Sequence, residues 1–260
     1  MIRTLAAALG LLATAGVAPA LSAPPAWVVS DADSTIYLVG TVHMLPEDSS
    51  WWTKGFEAAF AQIDTLWLEI DILNPPPDTL AMMFARAEEP DASLRSLLDD
   101  ETAAALDAIL DRHGIARDAV DGLQPWSVYM QLSSLMIQDA GYSPTLGIDV
   151  TLAGEAMARG IPLRGLEDYA EQFAMLSGLS QEAQVQLLRD TVIHYDEAGA
   201  QLVSEMESWL DGQLTTLMLM NMVSAVAMPE VFQAVFLNRN HGFADDIESI
   251  LAGAGTDMVA

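Results

Sequence analysis

Two short runs of apolar, β-prone residues lie near the start of the chain. Trp27-Val-Val-Ser30 and Thr35-Ile-Tyr-Leu-Val-Gly40 flank the polar run Asp31-Ala-Asp-Ser34. Two β-prone runs around a four-residue turn predict a hairpin. The pattern then changes. Between Trp51 and Ile63 the apolar residues Trp52, Phe56, Ala59, Phe60 and Ile63 fall at helical spacing. Thr65-Leu-Trp-Leu-Glu-Ile70 reads as a buried strand. Gly40 to Ile70 is therefore expected to be a strand–helix–strand crossover, long enough for parallel pairing.

Asn74-Pro-Pro-Pro77 breaks the pattern, and the chain beyond it turns helical. The expected helices are 78–87, 99–113, 125–140 and 146–159. Gly114, Gly141 and Gly160 stand where C-cap glycines belong. Ile161-Pro-Leu-Arg164 is the candidate third strand. Residues 181–210 read as helical with a break near Gly199. Residues 238–251 read as a last amphipathic helix with Asn240 as its N-cap, and Asp257-Met-Val-Ala260 begins another strand. The predicted class is α/β: a small, mainly parallel sheet, an N-terminal hairpin and a large helical insertion between residues 78 and 159.

Leu214 to Met228 carries no charge and is rich in methionine (Met218, Met220, Met222, Met228). It is too short to span a bilayer. A helix of this kind is expected as a plastic core or interface element, or as the wall of an apolar ligand groove.

Composition narrows the function. Ten Lys and Arg against 37 Asp and Glu give a net charge of −27, which excludes sequence-independent nucleic-acid binding. The hydrophobic content of 52% is enough for a sizeable core and argues against an acidic disordered polymer. The chain has no cysteine, so disulfides, thiol nucleophiles and Cys-ligated metals are excluded. Residues 1–20 combine Arg3, an apolar stretch from Leu5 to Val17 and Ala18-Pro-Ala20. That order reads as a signal peptide cleaved after Ala20, with a mature protein that is periplasmic or secreted and has no integral membrane span. The remainder, 21–260, reads as one domain.

Three of the four histidines have ordinary explanations. His113 closes a helix before Gly114, where a cation suits the dipole. His194 falls between Asp190 and Glu197 on a helix face, and His241 has no obvious partner. His43 differs, because it ends Gly40-Thr-Val-His43 directly after an apolar strand. In open α/β sheets ligands bind beyond the carboxyl ends of strands. Imidazole there can ligate metal or move a proton. Glu69, near the end of the next strand, is costly to bury among Trp67, Leu68 and Ile70 without a partner. Glu167 follows the third strand, and Arg239 in Asn238-Arg-Asn240 can clamp a carboxylate. The crossover geometry predicts that His43 and Glu69 share one site at the sheet edge, with Arg239 or Glu167 beside them. No His-Glu-x-x-His, Gly-x-Ser-x-Gly, P-loop or Gly-x-Gly-x-x-Gly motif is present.

An ordered set of short motifs runs from residue 27 to the end. It comprises Ile-Tyr-Leu-Val-Gly-Thr-Val-His43, Leu66-Trp-Leu-Glu-Ile-Asp71, Gly147-Ile-Asp149, Leu166-Glu167 with Gln172, Trp209-Leu-Asp-Gly212 and Asn238-Arg-Asn240. This set resembles the TraB/GumN (TraB/PrgY/GumN) family, to which the Tiki metalloproteases are related. The resemblance implies an α/β fold with two Gly-x-x-His motifs and a glutamate, associated in Tiki-like members with metal-dependent proteolysis. Carried over, the first motif is Gly40–His43 and the glutamate is Glu69; both would ligate a divalent metal ion. Glu167 and Arg239 match further family positions. A second Gly-x-x-His is expected just after Asp257–Ala260, where this sequence ends, so the resemblance implies a chain cut short at its C-terminus. The implied function is an exported, metal-dependent hydrolase acting on peptides. The alternatives are a non-catalytic protein binding a peptide or apolar ligand, and a pseudoenzyme or fragment.

Overall fold

Ser34, Ile36 and Val39 in Ser34–Val39, and Leu66 and Leu68 in Thr65–Leu68, lie under cover, and these runs form two of the strands of a sheet. The computed structural model describes residues 25–47, 49–88 and 93–260. The expected signal segment, 1–20, lies outside the described residues. The strands are β1 (Ala26–Ser30), β2 (Ser34–Val39), β3 (Thr65–Leu68), β4 (Leu163–Gly165) and β5 (Gly255–Val259). The helices are α1 (Lys54–Phe60), α2 (Thr79–Ala87), α3 (Asp100–His113), α4 (Asp118–Asp121), α5 (Pro125–Asp139) and α6 (Ile148–Arg159). They continue with α7 (Tyr169–Ser177), α8 (Gln181–Ile193), α9 (Tyr195–Leu210), α10 (Leu214–Ala227), α11 (Pro229–Phe232) and α12 (Arg239–Leu251).

The sheet order is β1-β2-β5-β3-β4. The hairpin pairs β1 with β2 antiparallel, Trp27 opposite Leu38. All other pairings are parallel: β2 with β5, β5 with β3, and β3 with β4. The fold is thus α/β, with a mainly parallel sheet and an N-terminal hairpin. One expectation is corrected. β2 and β3 are not neighbours, because β5 lies between them, pairing Ile36 with Asp257 and Leu66 with Met258. The last residues are a central strand, and Met258 is fully buried.

Local chemistry accounts for the helix ends. Asp99 caps α3 by accepting from Thr102 N at 2.8 Å, acidic residues fill the first turn, and Gly114 closes the helix at φ 66°. Asp168 and Glu171 form a reciprocal capping box on α7. One face of the sheet packs on α1 and α6 through Phe56, Phe60, Leu66, Leu68, Ile148 and Leu152. Each such fully buried side chain contributes roughly 2 kcal/mol. A second core joins α3, α5, α8 and α9 around Leu106, Leu110, Leu132 and Leu188.

Three local expectations give way. The break expected near Gly199 falls at His194, which leaves the helical region at φ −110°, ψ 25° between α8 and α9. Gly199 stays helical and buried, and a Cβ there would come within 3.5 Å of Met136 Cγ. That is an ordinary contact, so packing does not demand glycine here. Asn240 is not an N-cap either. Helical backbone runs without a cap from Pro229 through a π-helical stretch, Gln233–Asn238, into α12. The methionine-rich segment does form a helix, α10, but no residue of it is buried. Met218, Met222, Val223 and Val226 are 64–84% exposed, so it is no core element. No helix among the described residues is long and apolar enough to cross a membrane.

Candidate functional site

Four parallel strands, β2, β5, β3 and β4, end at one edge of the sheet. The segments that leave them carry most of the sequence-predicted site. A cavity of about 840 Å³ opens beyond that edge. Thr41, His43 and Met44 reach it after β2, Glu69 and Ile70 after β3, and Ala260 after β5; Asp149 and Arg239 join from α6 and α12. The rest of the wall is largely apolar, with Phe84, Trp126, Met130, Phe173 and Leu176 contributed by helices. No residue of α10 lines it, so the methionine-rich helix is not the wall of this groove.

Strand alternation sets Glu69. Leu66 and Leu68 face the core, so Trp67 and Glu69 face the other side. The β3–β4 ladder continues past the strand ends: Leu166 N donates to Leu68 O, and Glu167 N donates to Glu69 O, both at 2.9 Å. These bonds hold the two strand exits together, and the Glu69 and Glu167 side chains meet on one guanidinium. Gly165 makes the approach possible, because a Cβ there would lie 2.8 Å from Glu167 O and 3.0 Å from Asp71 N.

Two adjacent ionised carboxylates repel unless a cation lies between them, and Arg239 lies there. Its Nη2 donates to Glu69 Oε2 at 2.7 Å and to Glu167 Oε1, while Nε donates to Glu167 Oε2 at 3.1 Å. The Arg239 and Glu167 side chains are only 16% and 10% exposed, against 29% for Glu69. Glu167 does not line the cavity; it sits behind Glu69 and is held by the same guanidinium.

His43 is held by a residue whose role the sequence left unassigned. Its Nδ1 donates to Asp149 Oδ2 at 3.3 Å, which leaves Nε2 as the free ring nitrogen. The imidazole stands at the cavity wall with 64% of its side-chain surface open. The hydrogen bond to Asp149 raises the His43 pKa above its ordinary value; the charges of Asp149 and Glu69 add to it, while desolvation and Arg239 oppose it. The motif Gly147-Ile-Asp149 contained this partner. A carboxylate in the first turn of a helix reads equally well as a dipole partner, so local sequence did not single it out.

Gly147 locks the loop that carries His43. Its Cα lies so close to that loop that a Cβ would be 2.3 Å from the His43 carbonyl oxygen. Ile148 N donates to Val42 O at 3.0 Å, and Ser143 N donates to Leu45 O at 3.3 Å. The other histidines behave differently. His113 ends α3 and contacts Asp139 at 3.2 Å and Tyr195 at 3.3 Å. His194 is the α8–α9 junction and not a mid-helix face, and His241 lies within α12.

The metal expectation meets this geometry directly. Among the described residues no three His, Asp or Glu side chains converge as a ligand set. Glu69, the expected second ligand, already gives one oxygen to Arg239. A catalytic ion usually takes about three protein ligands, so the residues in place do not fit a divalent ion held by His43 and Glu69.

A family model described as the TraB/PrgY/gumN family matches residues 25–260. No curated protein and no solved structure is matched.

Proposed function

The chain belongs to the TraB/PrgY/gumN family, and from that premise we propose that it hydrolyses peptide-like substrates at the polar end of its cavity. The observation that carries the proposal is the convergence of an Asp149-oriented His43 and an Arg239-held Glu69 on one largely apolar cavity. The apolar wall receives apolar side chains of the substrate. His43, favoured in its protonated form, gives a proton through Nε2 to the departing nitrogen. Glu69 Oε1 makes no hydrogen bond among the described residues, so it is the carboxylate oxygen open to an attacking water. Arg239 holds that carboxylate in place. Export rests on the order of Arg3, apolar stretch and Ala18-Pro-Ala20 in residues 1–20.

A second reading is binding without chemistry. The mutual satisfaction of Arg239, Glu69 and Glu167 favours it, since such a cluster can serve as a rigid end wall. Cleavage of apolar peptides, followed by mass spectrometry, separates the two. His43→Ala is expected to lower the rate by about 100-fold while leaving peptide binding and the thermal transition close to those of the parent chain. Equal rates for parent and variant would contradict the assignment of His43. Binding without cleavage by the parent chain would leave the second reading standing.

A further inference from the structure

We propose that Arg239 is the resident cation of the Glu69–Glu167 pair, and that its guanidinium keeps a divalent metal ion from taking the place between the two carboxylates. The inference concerns the same site but does not depend on hydrolysis.

The two carboxylates lie together at the ends of β3 and β4, as their shared contact with Arg239 Nη2 shows. Two ionised carboxylates this close repel one another unless positive charge lies between them. Arg239 provides it with a bidentate grip on Glu167 and a bridge to Glu69. The grip is held from behind as well, because the guanidinium carbon lies 5.1 Å from the centre of the Phe243 ring. The π-helical stretch Gln233–Asn238 ends one residue before Arg239. Such stretches insert an extra residue into the helical turn and re-aim the side chains of the next turn.

Occupancy is exclusive on two counts. Metal–carboxylate oxygen distances are about 2.0–2.2 Å, and an Nη2 at 2.7 Å from Glu69 Oε2 leaves no room for an ion on that oxygen. Charge gives the same answer. Two carboxylates and one guanidinium sum to −1; exchanging the guanidinium for a divalent ion gives 0. Holding both cations would leave a positive charge in a site where Arg239 is only 16% exposed. Without Arg239, the two carboxylates become an oxygen-rich pair suited to Mn2+ or, with His43 nearby, Zn2+.

The test is calorimetric titration of the full chain with Mn2+ and with Zn2+, comparing parent, Glu69→Gln, Arg239→Met and the double variant. The parent and Glu69→Gln are expected to give the same weak isotherm, from surface carboxylates alone. Arg239→Met is expected to gain one site at least about tenfold tighter, lost again in the double variant, with a melting temperature that rises on adding the ion. A one-equivalent site in the parent that Glu69→Gln weakens tenfold would overturn the proposal. So would a folded Arg239→Met that gains nothing. If Arg239→Met does not fold, the comparison of parent with Glu69→Gln decides on its own.

Discussion

Replacing Arg239 by alanine is expected to lower stability by about 3 kcal/mol, because it leaves two adjacent carboxylates facing each other without a cation. The cost is placed at the low end of the range for breaking a buried pair, since Glu69 keeps 29% of its side-chain surface in solvent. Glu167, at 10%, is the member that suffers most. In a chain of 260 residues this corresponds to a fall in melting temperature of roughly 6–12 °C. The loss should be partly reversed by Glu167→Gln in the same background, because one of the two repelling charges is then gone. Arg239→Lys should fall between, keeping the charge but losing the fork that grips Glu167 twice. Chemical denaturation of the four chains checks the order. An Arg239→Ala chain as stable as the parent would mean that the cluster is a solvated surface arrangement and not the rigid end of the cavity.

The second large effect is expected at Gly147. Its φ of −57° and ψ of 150° are open to any residue, so Gly147→Ala introduces no backbone strain of its own. The cost is steric. The new Cβ would lie 2.3 Å from the His43 carbonyl oxygen, 2.6 Å from Asp149 Oδ1 and 2.8 Å from the His43 carbonyl carbon. Two of those atoms are backbone and cannot rotate aside. The loop from Thr41 to Pro46 must move outward, taking with it the Ile148–Val42 and Ser143–Leu45 hydrogen bonds and uncovering Leu45, which is 1% exposed. A loss of about 3 kcal/mol, the upper end for overpacking, is expected. Hydrolysis should fall further than the folded fraction explains, since His43 is carried away from Asp149. Denaturation and peptide cleavage on the same samples give both numbers; a variant unchanged in both would contradict the close packing of this loop.

The strand positions and the shared edge were legible because they follow from local pattern. Short apolar runs around Ile36, Leu66 and Leu163 located β2, β3 and β4, and the crossover between His43 and Glu69 placed both at one edge. Strand order was not legible. Local pattern marks a strand but says nothing of its partner, and the insertion of Gly255–Val259 between β2 and β3 is a contact across some 190 residues, as in the pairing of Leu66 with Met258. Among the site residues, Glu69 and Arg239 declared themselves by chemistry: a carboxylate among apolar residues calls for a partner, and the arginine of Asn238-Arg-Asn240 can be one. Asp149 did not, since its helix start offered an ordinary explanation. Gly199 misled for the opposite reason. A glycine inside a helix pattern reads as a break, while here α9 runs through it without interruption.

The pairing of His43 with Asp149 at the cavity wall is the geometry on which the functional reading turns, and it has a direct titration signature. A raised His43 pKa stabilises the fold fully below the unfolded value near 6.5, and that contribution is lost as pH rises through the folded value. The proton available to a leaving group disappears over the same range, so hydrolysis should decline on the alkaline side. NMR titration of the His43 ring in the parent chain and in Asp149→Asn measures this without reference to any substrate. The expected result is a midpoint above 6.5 in the parent that moves down in the variant. A parent midpoint at or below 6.5, unmoved by Asp149→Asn, would contradict it.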